Sequence, residues 1–170
     1  MYNLDIEGFM TEPELKVIEQ LAPQVPLNGV IVEIGSYKGR SAYTWAKSCD
    51  PSVTVYCIDR AKFSEFFENT KDCTNIKFVR GRFPYTVGYD GPPIDVFFLD
   101  GAHKNPIDID GINHILPHLK SGALLCGHDN FPMNNTPEQE CISSNIKELE
   151  HRLNQQVTLY ADTSIWSFRI

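Results

Sequence analysis

A doubly wound α/β sheet is the fold class predicted by this 170-residue sequence, and three observations predict it. Short apolar runs of strand length alternate with segments of helical periodicity. The first central run, Val30–Ile34, leads through a glycine loop directly into a segment with helical potential. The last two runs are joined by the tight turn Ala161-Asp-Thr-Ser164. So short a connection makes them antiparallel, because a parallel pair needs a crossover of about a dozen residues or more.

Each element has its own signal. Thr11-Glu-Pro-Glu14 is a capping box, with Thr11 as N-cap and Glu14 at the third helical position. Apolar Leu15, Val17, Ile18 and Leu21 carry that helix to about residue 21. After the turn at Pro26-Leu-Asn-Gly29, buried strands are expected at 30–34, 53–58, 76–79, 96–99 and 123–126. Helical potential lies between them at 40–47 and 63–68, weakly near Tyr85, and at 107–119, where Ile109, Ile112, Ile115, Leu116 and Leu119 share a face. Pro117 should end or kink that helix early. A second capping box, Thr136-Pro-Glu-Gln139, opens a helix whose Ile142, Ile146, Leu149 and Leu153 recur at spacings of four, three and four. Residues 157–160 and 165–170 read as the closing hairpin, which makes seven strands in all.

Composition narrows the function. With 42% hydrophobic residues, residues 1–170 read as one domain with a full core, residues 1–25 forming an N-terminal helical segment. A net charge of -7 and scattered Lys and Arg argue against a nucleic-acid groove or an anionic membrane surface, and favour a small neutral or cationic ligand. Five cysteines without a Cys-x-x-Cys pair read as reduced packing residues of a cytoplasmic protein. The first residues lack the basic and apolar regions of a signal peptide, and no apolar run reaches about 18 residues.

Candidate site residues lie where the strands end. In open α/β sheets ligands sit beyond the carboxyl ends of the strands. The first strand ends in Glu33-Ile-Gly-Ser-Tyr-Lys-Gly-Arg-Ser41. Gly35 and Gly39 let the backbone approach a ligand, Ser36 and Ser41 offer hydroxyls beside Tyr37, and the following helix turns its N-terminal amides to the same spot. A carboxylate at Glu33 would repel a phosphate but attract a cationic cofactor such as S-adenosylmethionine. The second strand ends in Asp59-Arg60, 24 residues after Gly35, where a carboxylate takes the ribose hydroxyls of an adenosine cofactor or caps the next helix. Gly81 and Arg82 follow the third strand and line an adenine pocket, unless the arginine faces solvent or substrate.

The fourth and fifth strands should be neighbours, which gathers Asp100, Asp129 and Asn130 into a set of hard oxygen ligands for Mg²⁺ or another divalent ion. The alternative is that Asp129 caps a turn and Asp100 receives the cofactor or a loop amide. His103 reaches the same pocket with an ordinary pKa of about 6.5, suited to a general base, against a packing role. His128, at a strand end, reads as a structural hydrogen-bonding residue, and His114, His118 and His151 fall in helical segments away from the acidic cluster.

Four motifs in this order resemble the class I S-adenosylmethionine-dependent methyltransferases, in particular the small metal-dependent O-methyltransferases of catechol and macrocin type. They are Glu33-Ile-Gly-Ser-Tyr-Lys-Gly-Arg-Ser41, Tyr56-Cys-Ile-Asp59, Phe97-Phe-Leu-Asp-Gly-Ala-His103, and Leu119-Lys-Ser-Gly122 with His128-Asp-Asn130, over about residues 28–130. The resemblance implies a Rossmann-like sheet with the last strand reversed. It implies cofactor binding by Glu33, Gly35, Ser41 and Asp59, metal binding by Asp100, Asp129 and Asn130, and His103 at the base position. A histidine there, where catechol-type members carry lysine, points toward a sugar or another non-catechol hydroxyl.

The resemblance also implies a roof over the acceptor pocket. Only about 25 residues precede the first strand, so the roof is expected from them, from residues 131–135, or from a second subunit of a homodimer. Phe63, Phe66 and Phe67 read equally as core or as subunit contact. Two other functions share these motifs: a metal-dependent hydroxylase-like enzyme, and a non-catalytic cofactor-binding subunit. A dehydrogenase is disfavoured, because Gly35-Ser-Tyr-Lys-Gly39 lacks the Gly-x-Gly-x-x-Gly spacing.

Overall fold

The computed structural model describes residues 1–130 and 136–170. Seven strands form one sheet in the order β3-β2-β1-β4-β5-β7-β6. They are β1 Val30–Ile34, β2 Thr54–Asp59, β3 Ile76–Arg80, β4 Ile94–Leu99, β5 Leu119–Gly127, β6 Thr158–Leu159 and β7 Trp166–Arg169. The pairs β1·β2, β1·β4, β2·β3 and β4·β5 are parallel, whereas β7 runs antiparallel to both β5 and β6. The tight turn before β7 thus has the effect its length predicts.

Helices cover both faces because the central strands are apolar on both. Ile31, Val96, Phe98, Leu124 and Cys126 point to the face covered by α1 (Glu12–Leu21) and α2 (Arg40–Ser48). Val32, Phe97, Leu99 and Leu125 point to the other, where α4 (Ile107–Ile115) and α5 (Pro137–Leu153) supply Ile112, Ile115, Ile146 and Leu149. The short α3 (Ser64–Asn69) joins the first face through Phe66, which is 1% exposed and packs on Phe78. Phe66 is therefore core, while Phe67 remains partly exposed. Cys49, Cys57, Cys73 and Cys126 are reduced and buried in the same layer, as small apolar residues.

Local chemistry adjusts the element ends. The strand β4 begins at Ile94 because the Asp95 carboxylate accepts the Val30 amide (2.8 Å) and pairs with Lys120 (2.8 Å), pinning the starts of β1, β4 and β5 together. Pro117 falls in a 3₁₀ turn, Leu116–His118, so α4 stops at Ile115. No helix forms near Tyr85: the amides of Tyr85 and Thr86 both donate to the Arg82 carbonyl (2.8 and 2.9 Å) in an isolated turn. Pro84, Gly88 and the Gly91-Pro-Pro93 run remove the donors and propensity a longer helix needs. Among the described residues, no helix is long and apolar enough to cross a membrane.

Gly35 closes β1 at φ +89°, and a Cβ there would lie 1.7 Å from the Asp100 carbonyl oxygen. Gly122 has a similar φ of +83° but open space around it. Gly122→Ala should cost about 1 kcal/mol of left-handed strain, and Gly35→Ala at least about 3 kcal/mol, since backbone must move as well. Urea unfolding of the two variants measures the difference, and equal costs would refute a collision at Gly35.

Candidate functional site

The strand order places β1 beside β4, while the connection leaving β1 crosses one face of the sheet and the connection leaving β4 crosses the other. That reversal opens a crevice at the carboxyl ends. The resulting cleft has a volume of about 900 Å³, within the range of small-molecule sites. Of the sequence-predicted residues, Gly35, Ser36, Tyr37, Ser41, Asp59, Arg60, Gly81, Arg82, Asp100, His103 and Asp129 line it.

On the β1 side the loop is held by the second strand. The Tyr37 amide, at φ +45°, donates to Asp59 Oδ2, and the Ala61 amide donates to Oδ1, both at 2.8 Å. Asp59 thus caps its own turn and braces the glycine loop, yet it lines the cleft and each oxygen keeps acceptor capacity. Gly39, at φ +92°, is the N-cap of α2 and packs near Phe66 and Thr70 instead of lining the cleft.

Glu33 departs from its expected place. It is wholly buried beneath the loop and does not line the cleft, so its charge does not face a ligand there. Burial pushes its carboxyl up to about 7; the Ser36 and Ser41 hydroxyls oppose that rise, and Asp100 and Asp59 add to it.

The N-terminal segment, one of the expected sources of a roof, forms one wall of the cleft. Arg40, the first residue of α2, donates from Nε to the Ile6 carbonyl (2.5 Å), from Nη1 to Met10 (2.7 Å) and from Nη2 to Leu4 (3.2 Å). Glu7 accepts Tyr37 Oη at 2.8 Å and pairs with Lys38 at 2.7 Å. Glu7, Gly8, Phe9 and Met10 are thereby strapped across the cleft, with the Phe9 ring 5.6 Å from Tyr37 and Tyr37 4.9 Å from Phe63. Residues 131–135, the other expected source of a roof, lie outside the described residues.

On the β4 side, His103 Nε2 lies 3.1 Å from Asp129 Oδ2 and 3.7 Å from Asp100 Oδ1. One ligand atom from each of these three residues fits within 4.8 Å of the others, all half-buried. The loop that presents His103 at φ +50° is tied by buried Asp108, which accepts the amides of Lys104 (2.8 Å) and Ala102 (3.3 Å). Burial raises the Asp108 pKa, against those bonds and the His103 charge. Asp129, at φ +63°, meets them from the end of β5. Asn130 does not join the cleft: it is buried, and its amide donates to the Ser164 carbonyl at 3.0 Å. His103 is the side chain that stands beside the two aspartates.

His128, read from the sequence as a structural hydrogen-bonding residue, follows directly on the end of β5. Its ring is buried with carboxylates on both sides, Nε2 3.1 Å from Glu14 Oε1 and Nδ1 3.2 Å from Asp129 Oδ1. Burial opposes a charge on this imidazole, but Asp100, Asp129 and Glu14 outweigh burial and hold its pKa well above the ordinary value. The same contact holds Glu14 well below the carboxylate range, against its own burial. Glu14 carries a capping signal in the sequence; its partner 114 residues away carries none.

The sequence profile described as a methyltransferase domain matches residues 32–130, or 99 of 170 residues. This chain belongs to that methyltransferase family. No curated protein matches the sequence. Solved structures match in fold. A Klebsiella pneumoniae protein assigned as an O-methyltransferase is 14% identical with a TM-score of 0.76, over 95% of this chain and 82% of its own. The Streptomyces achromogenes O-methyltransferase TomG, involved in tomaymycin synthesis and solved with S-adenosylmethionine, is 17% identical with a TM-score of 0.71, over 98% and 82%. CalS11, a TDP-rhamnose 3'-O-methyltransferase of calicheamicin biosynthesis, is 16% identical with a TM-score of 0.66, over 91% and 76%. At these identities the likeness is one of fold. In this methyltransferase the cleft occupies the matched segment together with the N-terminal strap.

Glu33 gives a signed pH prediction. Its folded pKa of about 7 exceeds the ordinary 4.5, so wild-type stability falls as pH rises between those values, while the unfolded chain ionises freely. Glu33→Gln removes that cost: its advantage in stability should be near zero at pH 4.5 and grow to about 3 kcal/mol above pH 7. Urea titrations from pH 4.5 to 8 measure it, and a pH-independent difference would mean that Glu33 is ionised in the fold throughout.

Proposed function

We propose that this methyltransferase transfers a methyl group from S-adenosylmethionine to a hydroxyl of a small molecule, sugar or phenol-like, with a divalent cation such as Mg²⁺ at the site. The observation that carries the reading is one continuous cleft with the amide-braced Asp59 at one end and the Asp100–His103–Asp129 group at the other. The donor chemistry fits both groups. Asp59 has acceptor capacity left for two ribose hydroxyls, and the carboxylate oxygens of Asp100 and Asp129 suit a divalent ion, with the His103 imidazole beside them. The bound cofactor of TomG and the sugar acceptor of CalS11 support the same reading by analogy.

S-adenosylmethionine supplies the methyl group and a neutral sulfur leaving group, and the cation supplies charge that lowers the pKa of a hydroxyl. The chain does the rest. Ser36, Ser41 and Arg60 bound the cofactor end around Asp59, with Gly81 and Arg82 beyond, while Glu33 acts from below as a support of the loop. Asp100 and Asp129 hold negative charge where the acceptor oxygen is to be oriented. His103 Nε2 carries its proton toward Asp129 Oδ2, which leaves Nδ1 as the basic atom that takes the acceptor's proton. Holding the reactants in line within one cleft supplies the remaining advantage.

Calorimetric titration of S-adenosylhomocysteine, with and without Mg²⁺, tests the cofactor site. Micromolar binding, around -8 kcal/mol, is expected for wild type and at least about tenfold weaker binding for Asp59→Ala. No wild-type binding would overturn the reading. With a hydroxylated acceptor, product mass should rise by one methyl group, and Asp100→Asn should abolish metal-dependent turnover while sparing cofactor affinity. Full turnover in a chelator, still lost in His103→Ala, would favour a second reading, supported by the 3.1 Å contact, in which His103 and Asp129 act as a base pair without metal.

A further inference from the structure

We propose that Glu14, the capping carboxylate of α1, is a positioning residue for Asp129 and acts through His128 and Ser164. The inference rests on the reading of Asp100 and Asp129 as ligands of a cation beside His103. A capping box requires one carboxylate oxygen and an exposed helix end. Glu14 Oε2 performs that task, accepting the Thr11 amide at 2.7 Å and the Thr11 hydroxyl at 2.8 Å. The other oxygen faces the interior of the protein, and Glu14 is only 2% exposed. Burying a carboxylate is costly unless it is paired and hydrogen-bonded, so capping alone gives no reason for its depth.

Oε1 opens two routes that converge on one residue. In the first, it accepts the Ser164 amide (3.1 Å) and hydroxyl (2.7 Å). The Ser164 Oγ in turn accepts the Asp129 amide at 3.1 Å, and the Ser164 carbonyl accepts the next amide, that of Asn130, at 3.0 Å. In the second, Oε1 lies 3.1 Å from His128 Nε2, whose Nδ1 stands 3.2 Å from Asp129 Oδ1 and 3.5 Å from Asp100 Oδ1. One route fixes the backbone of Asp129 and the other its carboxylate.

Asp129 needs both. Its φ of +63° lies in the left-handed region that L-residues rarely adopt, so its backbone is held there by its surroundings. With Oδ1 taken by His128, Oδ2 is the oxygen turned to His103 and the cleft. The start of α1 therefore sets the aim of an oxygen more than a hundred residues away in sequence. Partners of this kind, one step behind a ligand, change metal affinity by about 10–100-fold when they are lost.

The test separates positioning from stability. Thr11→Val removes the hydroxyl half of the cap but leaves Oε1 and its two routes; Ser164→Ala removes the hydroxyl that links Oε1 to the Asp129 amide; Glu14→Gln removes the charge that anchors both routes. Mn²⁺ binding is measured by calorimetry on each variant, beside its unfolding temperature. We expect roughly tenfold or greater loss of Mn²⁺ affinity in Glu14→Gln, a smaller loss in Ser164→Ala, and less than twofold change in Thr11→Val despite a lowered unfolding temperature. Wild-type affinity in Glu14→Gln, or losses that follow unfolding temperature across all three, would overturn the proposal. A wild type that binds no Mn²⁺ would remove the cation reading instead. Crystal structures of Glu14→Gln and Ser164→Ala then decide the positioning directly: Asp129 should leave φ near +60° or turn its carboxylate from His103 in either one, and an unmoved Asp129 in both would overturn it.

Discussion

Contact between Gly35 and the Asp100 backbone is the constraint on which the rest of this structure depends. The Asp100 amide donates to the Ile34 carbonyl at 2.9 Å, and the Gly35 amide donates to Ile58 at 2.9 Å, so the ends of β1, β2 and β4 are laced together at one point. No side chain fits between them. Because the chain turns to opposite faces of the sheet on leaving β1 and β4, that point is also the floor of the cleft. Asp59 on one side and Asp100 on the other inherit their separation from strand spacing, which the packed sheet does not readily change.

Charge in the site is organised in depth. Asp59, Asp100 and Asp129 face the cleft, Asp108 is buried in its wall, and Glu14 and Glu33 lie buried behind them. Each buried carboxyl is handled differently. Glu14 is saturated by donors and paired with His128; Asp108 accepts two loop amides; Glu33 has hydroxyls and a thiol near it but no cation to pair with among the described residues, and drifts toward neutrality. The protein concentrates acidic groups without the full repulsion of so many charges because imidazoles, amides and a raised pKa each remove part of it.

The strap shows how an ordinary helix-start arginine becomes a structural clamp. Arg40 spends its guanidinium on three carbonyls of residues 4, 6 and 10, a use for which its planar fork of donors is suited. Glu7 ties the same segment to Tyr37 and Lys38. The glycine loop is thus braced by Asp59 from below and by residue 7 from above, and its non-glycine left-handed residue, Tyr37, sits between the two.

Sequence by itself determined the alternation of strands and helices, the capping of α1 and α5, the early end of α4 at Pro117 and the reversal of β7. All of these follow from local periodicity, backbone propensity or loop length, which a chain carries in neighbouring residues. Most of the site residues it proposed line the cleft, because parallel topology places strand ends together once the strand order is known. It misplaced Glu33 in depth and joined Asn130 to a cluster that His103 completes, since residue spacing records neither burial nor the direction of a side chain at a strand end. Which partners Glu14, His128 and Arg40 would take had no signal in the sequence. Contacts across 114 and about 30 residues arise only when α1 and the N-terminal segment pack against the sheet, so tertiary structure alone decided them.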